Sequence, residues 1–334
     1  MPIKSNFSLP RVLWGGVNAA FLLSAYPALA DDTAATPNNG AEIQAKANYS
    51  GTPSTNIQGG TGYGAETTVY SSTFDTNWRL FAGEEYSHEE EPLGEGNVTL
   101  WRSKAGAEYH DNAVKLDLAP TFNYYGNDDR FGGIADASWT LNDHWVLGGS
   151  GQIFSEDTPL RALNADVTAN SYNANVEWHQ PDVRSVRVNA NMMTFSDDNV
   201  RGGVSGVYTE RLHTDPKFIV DGLVTAAGSQ DSLDENRLYY NPKTDLLGSA
   251  GLQITQVLYR DGDTVYQHSL QLLPGDYWQK NYGQSLALSA RYELRTQFYN
   301  GFEIGLGAGF SRQSANGTEE NTVTGLLDLT RHFK

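Results

Sequence analysis

The sequence predicts an all-β protein, a transmembrane antiparallel up-and-down β-barrel of about 16 strands. Three observations carry this. Polarity alternates with a period of two along most of the chain, so each segment sets one face against an apolar medium and the other against water. The connections between segments alternate between short and long. Aromatic side chains gather near segment ends.

The elements follow in order. The chain opens with MPIKSNFSLPRVLWGGVNAAFLLSAYPALA. Lys4 and Arg11 precede a largely apolar run, Val12 to Leu23, and a small-x-small site at Ala28-Leu29-Ala30. This pattern reads as a secretory signal peptide over residues 1–30, cut after Ala30. The run is interrupted and short of the roughly 20 apolar residues an anchor helix needs. Residues 31–40 read as a short N-terminal periplasmic segment, and 41–334 as the barrel. Alternating segments are expected at 41–48, 65–74, 77–88, 96–109, 112–124, 130–141, 144–155, 169–179, 184–195, 200–211, 216–227, 246–258, 264–274, 284–297, 301–312 and 320–333.

Within 112–124, Val114, Leu116, Leu118, Pro120, Phe122 and Tyr124 share one parity, and Lys115, Asp117, Thr121 and Asn123 share the other. Leu286, Leu288, Ala290, Tyr292 and Leu294 oppose Ser289, Arg291, Glu293 and Arg295. Phe302, Ile304, Leu306, Ala308 and Phe310 oppose Glu303 and the glycines 305, 307 and 309. The closing stretch GLLDLTRHFK sets Leu327, Leu329 and Phe333 against Asp328, Thr330 and His332, with Arg331 placed to snorkel at the strand end.

A β-sandwich also alternates, so the connections discriminate better. Asp75-Thr76, His110-Asp111, Asn142-Asp143, 180–183, 212–215, 259–263 and 298–300 are short. Between them lie 49–64, 89–95, 125–129, 156–168, 196–199, 228–245, 275–283 and 313–319, mostly longer and rich in Gly, Asn, Asp or Glu. Short turns at one end and long loops at the other describe an outer-membrane barrel, and an even strand count puts both chain ends on the periplasmic side. Trp78, Trp101, Tyr109, Trp139, Trp145, Trp178 and Trp278 stand where interfacial girdles would lie.

Composition agrees. The chain has no cysteine and a net charge of −17, which becomes −19 once Lys4 and Arg11 leave with the signal. Such acidity argues against nucleic acid and anionic lipid surfaces as partners and suits a cationic or neutral one. A mean hydropathy of −0.48 fits a barrel, where only alternate residues meet lipid. Catalysis finds little support. No histidine pair has metalloprotease spacing, and His268 and Ser269 are strand neighbours that point to opposite faces. His88-Glu89-Glu90-Glu91 reads as a solvated loop. No catalytic residue, cofactor or metal site is expected.

The informative residues are carboxylates on the inward parity: Asp117, Asp136, Glu177, Asp221, Glu293, Glu303 and Asp328. Lys104, Arg187, Arg291 and Arg295 share that space. Two readings stand: a mixed-charge lumen that solvates itself, or a path biased toward cations by a low-dielectric wall that focuses its fixed charges. Loop 156–168, with Arg161, is expected to fold in or over the mouth and gate it.

At TPLRALNADVTANSY (158–172), FSDDNVRGG (195–203) and YYNPKTD (239–245) the chain resembles the C-terminal porin domain of the PgaA-type poly-β-1,6-N-acetyl-D-glucosamine export proteins, from about residue 65 to the end. The resemblance implies a 16-stranded outer-membrane barrel exporting a partly de-N-acetylated biofilm polysaccharide. Its free amines are cationic, and an acidic lumen would attract them by weak, repeated contacts that still permit exit. Implied partners are the polysaccharide, outer-membrane lipid, the outer-membrane assembly machinery and a periplasmic polysaccharide deacetylase. Longer members carry a periplasmic helical repeat domain. Here about 34 residues, Asp31 to Gly64, separate the signal from the second expected strand, with no such repeat. The alternative functions are a general diffusion porin or a structural barrel without polymer specificity. An outer-membrane enzyme is disfavoured for want of a nucleophile–base pair.

Overall fold

A computed structural model describes residues 40–333, except 52–60, 75–76, 91–96, 126–127, 156–157, 160–161, 164, 234–241 and 316. The expected signal peptide and most of the 31–40 segment lie outside the described residues. So do Arg161 and parts of the acidic loops, among them Glu91, Glu156, Asp157, Asp234 and Glu235.

Sixteen strands run in chain order: β1 (Glu42–Gly51), β2 (Thr61–Tyr70), β3 (Trp78–Glu90), β4 (Asn97–His110), β5 (Val114–Tyr125), β6 (Asp128–Asn142), β7 (Trp145–Ile153), β8 (Ala169–Gln180), β9 (Arg184–Phe195), β10 (Val200–Thr214), β11 (Phe218–Asp231), β12 (Thr244–Asp261), β13 (Thr264–Gln279), β14 (Gly283–Gln297), β15 (Phe302–Ala315) and β16 (Thr318–His332). Each pairs antiparallel with its sequence neighbours, and β1 pairs with β16 from Glu42↔His332 to Gly51↔Val323. Closure leaves no edge strand, which the hydrocarbon requires because unpaired N–H and C=O groups there cost several kcal/mol each. No helix among the described residues is long and apolar enough to cross a membrane; the crossing is made by strands.

The distribution of side chains inverts that of a soluble domain. Leu80, Leu118, Leu270, Leu272, Leu286, Leu306 and Leu327 are exposed, while Glu42, Glu85, Arg102, Glu108 and Asp221 are buried. Aromatics bound the apolar belt. Trp78 and Tyr109 pack together at the short-turn end (ring centroids 5.2 Å), and Tyr86 and Trp101 pack edge-on at the other (4.7 Å).

Strand limits differ from expectation by a few residues at many ends, and two of the differences are informative. The second strand lies at Thr61–Tyr70 rather than 65–74, because Gly62 and Gly64 continue the ladder and Phe74 folds back on Trp78. The thirteenth runs five residues past 274. Pro274-Gly275 resembles a turn signal, yet the β13–β14 ladder runs unbroken through Pro274↔Leu288, so the missing N–H leaves only a local gap on the β12 side. The expected 275–283 and 313–319 loops therefore shrink to 280–282 and 316–317. End-to-end asymmetry rests chiefly on 52–60, 154–168 and 232–243.

The gap recurs. The β12–β13 ladder skips residues 250–251 opposite 273–274, and the β4–β5 ladder skips 105–106 opposite 119–120, where Pro120 sits. In each case an alanine (Ala250, Ala105) stands opposite the proline and a glycine fills the next position of the gap, Gly251 opposite Leu273 and Gly106 opposite Ala119. A Cβ on Gly251 would lie 1.8 Å from the Leu272 carbonyl oxygen, and one on Gly106 would lie 2.1 Å from that of Leu118.

Periplasmic turns are fixed by side chains that mimic a backbone turn. The Asp111 carboxylate accepts from the N–H groups of Ala113 (2.8 Å) and Val114 (2.6 Å), and Asp215 accepts from Lys217 and Phe218 (both 2.8 Å). The backbone N–H of Val114 chiefly holds Asp111 below the ordinary carboxylate range, and that of Lys217 does so for Asp215. Both groups are depressed on folding. The stability they contribute is therefore present above the unfolded carboxylate pKa and lost as pH falls through the folded one. Asp111→Ala and Asp215→Ala should each flatten the acid limb of a heat-modifiability profile, whereas Asp111→Asn, which keeps one acceptor oxygen, should retain most neutral-pH stability. An unchanged acid limb in both alanine variants would remove the turns from the account.

Candidate functional site: the charged lumen

Alternate residues of every strand face inward, and register decides which of them meet. Seven acids were expected there. Asp117 on β5 pairs in register with Asp136 on β6, and with Glu108 on β4. Lys115 Nζ lies 3.4 Å from both Glu108 and Asp117. Glu293 on β14 bonds to Arg291 and lies 3.7 Å from Arg295 Nε. Asp328 stands opposite Lys46 in the seam and interacts with Arg295, Glu293 and Glu303. Glu303 is 3.7 Å from His332. The remaining two stand apart, each beside its own arginine: Glu177 accepts from Arg187 Nε (2.8 Å), and Asp221 accepts from Arg211 Nε (2.5 Å). The structure thus gathers two clusters and two separate ion pairs. All seven stand in the half of the wall nearer the short turns, the periplasmic half.

Nearly all of these acids have a cation beside them, so the wall is mixed in charge. Expected Lys104 bonds to Glu66, whose other oxygen lies 4.0 Å from Lys46. Residues outside the expected set extend the network. Arg79 donates to Glu108 (2.5 Å) and Glu42 (3.5 Å), and His332 reaches Glu42 at 3.1 Å. Parity held the signal for these: Glu108 shares it with Lys104, and Lys115 with Asp117.

The extracellular half differs. At the top of β4 and β5 the inward residues Val98, Leu100 and Tyr125 break the polar pattern. They do so because Phe154 and Leu163 of the β7–β8 connection pack on them, Tyr125 and Phe154 with ring centroids 5.6 Å apart. On the other side, Ala162 of the same connection packs with Ala169 and Phe195. Residues 162–163 form a helical turn in which Ala162 and Leu163 are 0 % and 1 % exposed. The connection therefore enters the barrel and joins β4–β5 to β8–β9. Arg102, itself 1 % exposed, ties it down by donating to the Phe154 carbonyl (3.0 Å), to Asn123 (2.6 Å) and to Glu85 (3.2 Å). None of these three side chains was among the expected site residues. Among the described residues, no group of three or more His, Cys, Asp or Glu is arranged to hold a metal ion.

An apolar exterior, a closed sixteen-strand ladder and an ion-paired interior define an outer-membrane β-barrel. The chain belongs to the PgaA membrane β-barrel domain family, whose model matches residues 38–333. It is 28% identical over 267 residues to the poly-β-1,6-N-acetyl-D-glucosamine export proteins of Escherichia coli K12 and of E. coli O157:H7, covering 80% of this chain and 33% of each relative. The chain thus spans about a third of the length of those curated relatives. A solved bacterial polysaccharide outer membrane secretin aligns with a TM-score of 0.81 and 26% identity, covering 89% of this chain and 99% of that one. CdiB from Acinetobacter baumannii shares the fold alone, at a TM-score of 0.53 and 10% identity over 87% of this chain and 60% of that one. The names of the two curated relatives describe export, and that of the secretin describes an outer-membrane polysaccharide protein.

Proposed function

We propose that this barrel is an outer-membrane porin exporting a polysaccharide, and that the polymer is partly de-N-acetylated poly-β-1,6-N-acetylglucosamine. The observation that carries the reading is the gathering of seven inward carboxylates in the periplasmic half, where an exported chain enters, within a chain of the PgaA barrel family. Ammonium groups of the polymer exchange with the resident lysines and arginines for these acids, so each contact is weak and the chain moves on. The inward connection at 154–168 acts as the gate, and Arg161 adds a positive charge to it. A periplasmic polysaccharide deacetylase supplies the free amines, and the outer-membrane assembly machinery inserts the barrel.

The ion-paired wall also supports a second reading, a general diffusion porin, and conductance separates the two. The export reading expects a cation-selective pore blocked by glucosamine oligomers; an unselective pore indifferent to them supports diffusion. The triple variant Glu177→Gln, Asp221→Asn, Glu303→Gln leaves the charges of Arg187 and Arg211 in excess. Its reversal potential should shift toward anions, because fixed charges on a low-dielectric wall dominate the local field. Selectivity equal to wild type would rule out these acids as the polymer path.

A further inference from the structure

The inward face carries one apolar row that no described loop covers. Register aligns Tyr70 (β2) with Phe81 (β3), Phe81 with Gly106 (β4), and Ala119 (β5) with Ile134 (β6). Gly106 and Ala119 face each other across the proline gap, where a Cβ on Gly106 would meet the Ala119 Cβ at 2.8 Å. Five consecutive strands thus present an apolar residue or a glycine at one level of a charged wall. The Phe81 ring lies over Gly106, since a Cβ there would also meet Phe81 Cζ at 2.8 Å. Tyr70 and Phe81 rings are 5.6 Å apart at 40°, and the Arg79 guanidinium covers the Tyr70 ring at 4.1 Å.

Other inward apolar residues are buried or stand singly among polar neighbours and glycine, as half-exposed Val146 does between Thr140 and Glu177 and Leu326 between Asn48 and Gly307. Leu100 and Tyr125 lie beneath the inward connection, and Val207, Leu223 and Leu273 are 4 %, 2 % and 4 % exposed. Tyr70, Phe81 and Ile134 instead keep part of their surface open to the lumen. One inward position toward the periplasm runs a second row in register: Arg79, Glu108, Asp117 and Asp136. One position toward the outside stand Gly83, Lys104, Thr121 and Gly132.

We propose that the Tyr70–Phe81–Gly106–Ala119–Ile134 row is a pyranose-stacking platform that seats one sugar ring of the passing polymer. This rests on the export reading above. A β-linked glucosamine ring with equatorial substituents offers one face of axial C–H groups, which packs on an open aromatic ring, while its rim of hydroxyl, amide and amine groups points sideways. On this wall the rim meets Glu108, Asp117 and Asp136 on one side and Lys104 and Thr121 on the other. Glycine at 106 and 83 keeps the platform flat, and Arg79 fixes the Tyr70 ring so that little order is lost on binding.

Saturation-transfer NMR on the detergent-solubilised full chain tests this with two probes, a fully N-acetylated and a partly de-N-acetylated β-1,6-glucosamine oligomer. The expected result is saturation strongest on the axial H1, H3 and H5 protons with both probes. Phe81→Ala should bind both roughly three- to tenfold more weakly, since aromatic stacking is worth about 0.5–1.5 kcal/mol, and Phe81→Trp should restore binding. Heat-modifiable mobility confirms that each variant is folded. Unchanged affinity in Phe81→Ala, no binding by wild type, or saturation confined to the N-acetyl methyl would overturn the platform. Surface polymer in a deletion strain tests the export reading separately. Phe81-dependent binding with normal surface polymer would sink export and leave the platform. Lost surface polymer with Phe81-independent binding would do the reverse.

Discussion

Replacing Arg102 with alanine is expected to release the inward connection and open the extracellular half of the pore. The guanidinium holds Glu85, Asn123 and the Phe154 carbonyl at once. Its loss strands the Glu85 carboxylate, 3 % exposed, beside a vacancy. Removing one partner of a buried ion pair costs about 3–5 kcal/mol, far more than an exposed pair is worth. The apolar contacts of Phe154, Leu163 and Ala162 and the hydrogen bonds at the two ends of the connection then hold it. Single-channel conductance should rise severalfold, and cells should become sensitive to bulky antibiotics. The double variant Arg102→Met, Glu85→Leu fills the space without stranding a charge and should return conductance toward the wild-type level. Equal conductance in Arg102→Ala and wild type would show that the apolar contacts suffice.

The second large effect is expected at Gly251. A methyl there would stand 1.8 Å from the Leu272 carbonyl oxygen, and backbone on a closed barrel has little room to retreat. Overpacking in well-packed proteins costs about 1–3 kcal/mol, and a backbone clash belongs at the upper end. Gly248→Ala is the control: it lies three residues away on the same strand, and its Cβ would meet nothing within 4 Å. Heat-modifiable mobility should therefore be lost at clearly lower temperature in Gly251→Ala and be unchanged in Gly248→Ala. Equal midpoints would mean that β12 and β13 part freely around Pro274.

Much of this architecture was legible because a barrel wall has two solvents and a period of two. Every long alternating run became a strand, and parity alone put seven acids on one face with the polar residues of their strands. What parity cannot supply is register between strands. Nothing along the sequence says that Asp117 faces Asp136, or that Arg211 lies beside Asp221 while Glu177 lies beside Arg187. Turn chemistry misled where it was locally strong, since Pro274-Gly275 reads as a stop until the ladder to β14 is seen to run through it. Length alone singled out the β7–β8 connection. Its anchor could have been read from Val98, Leu100 and Phe195, apolar residues on the polar parity near strand ends, which announce that protein covers them.

The seam joins the first strand to the last, and the Phe333 amide donates to the Ala41 carbonyl at 2.8 Å. Nearly three hundred residues separate these partners, so this contact carries the largest loop-closure penalty in the molecule. A ribosome finishes β16 only after β1 to β15 have been translated. The cylinder thus cannot be completed before its sixteenth strand is made, and the unsealed intermediate must be kept from aggregating until β16 arrives. A shortened reading frame that ends before Thr318 would leave β1 and β15 as raw edges, and such a product should be found with periplasmic chaperones or proteases rather than in the membrane.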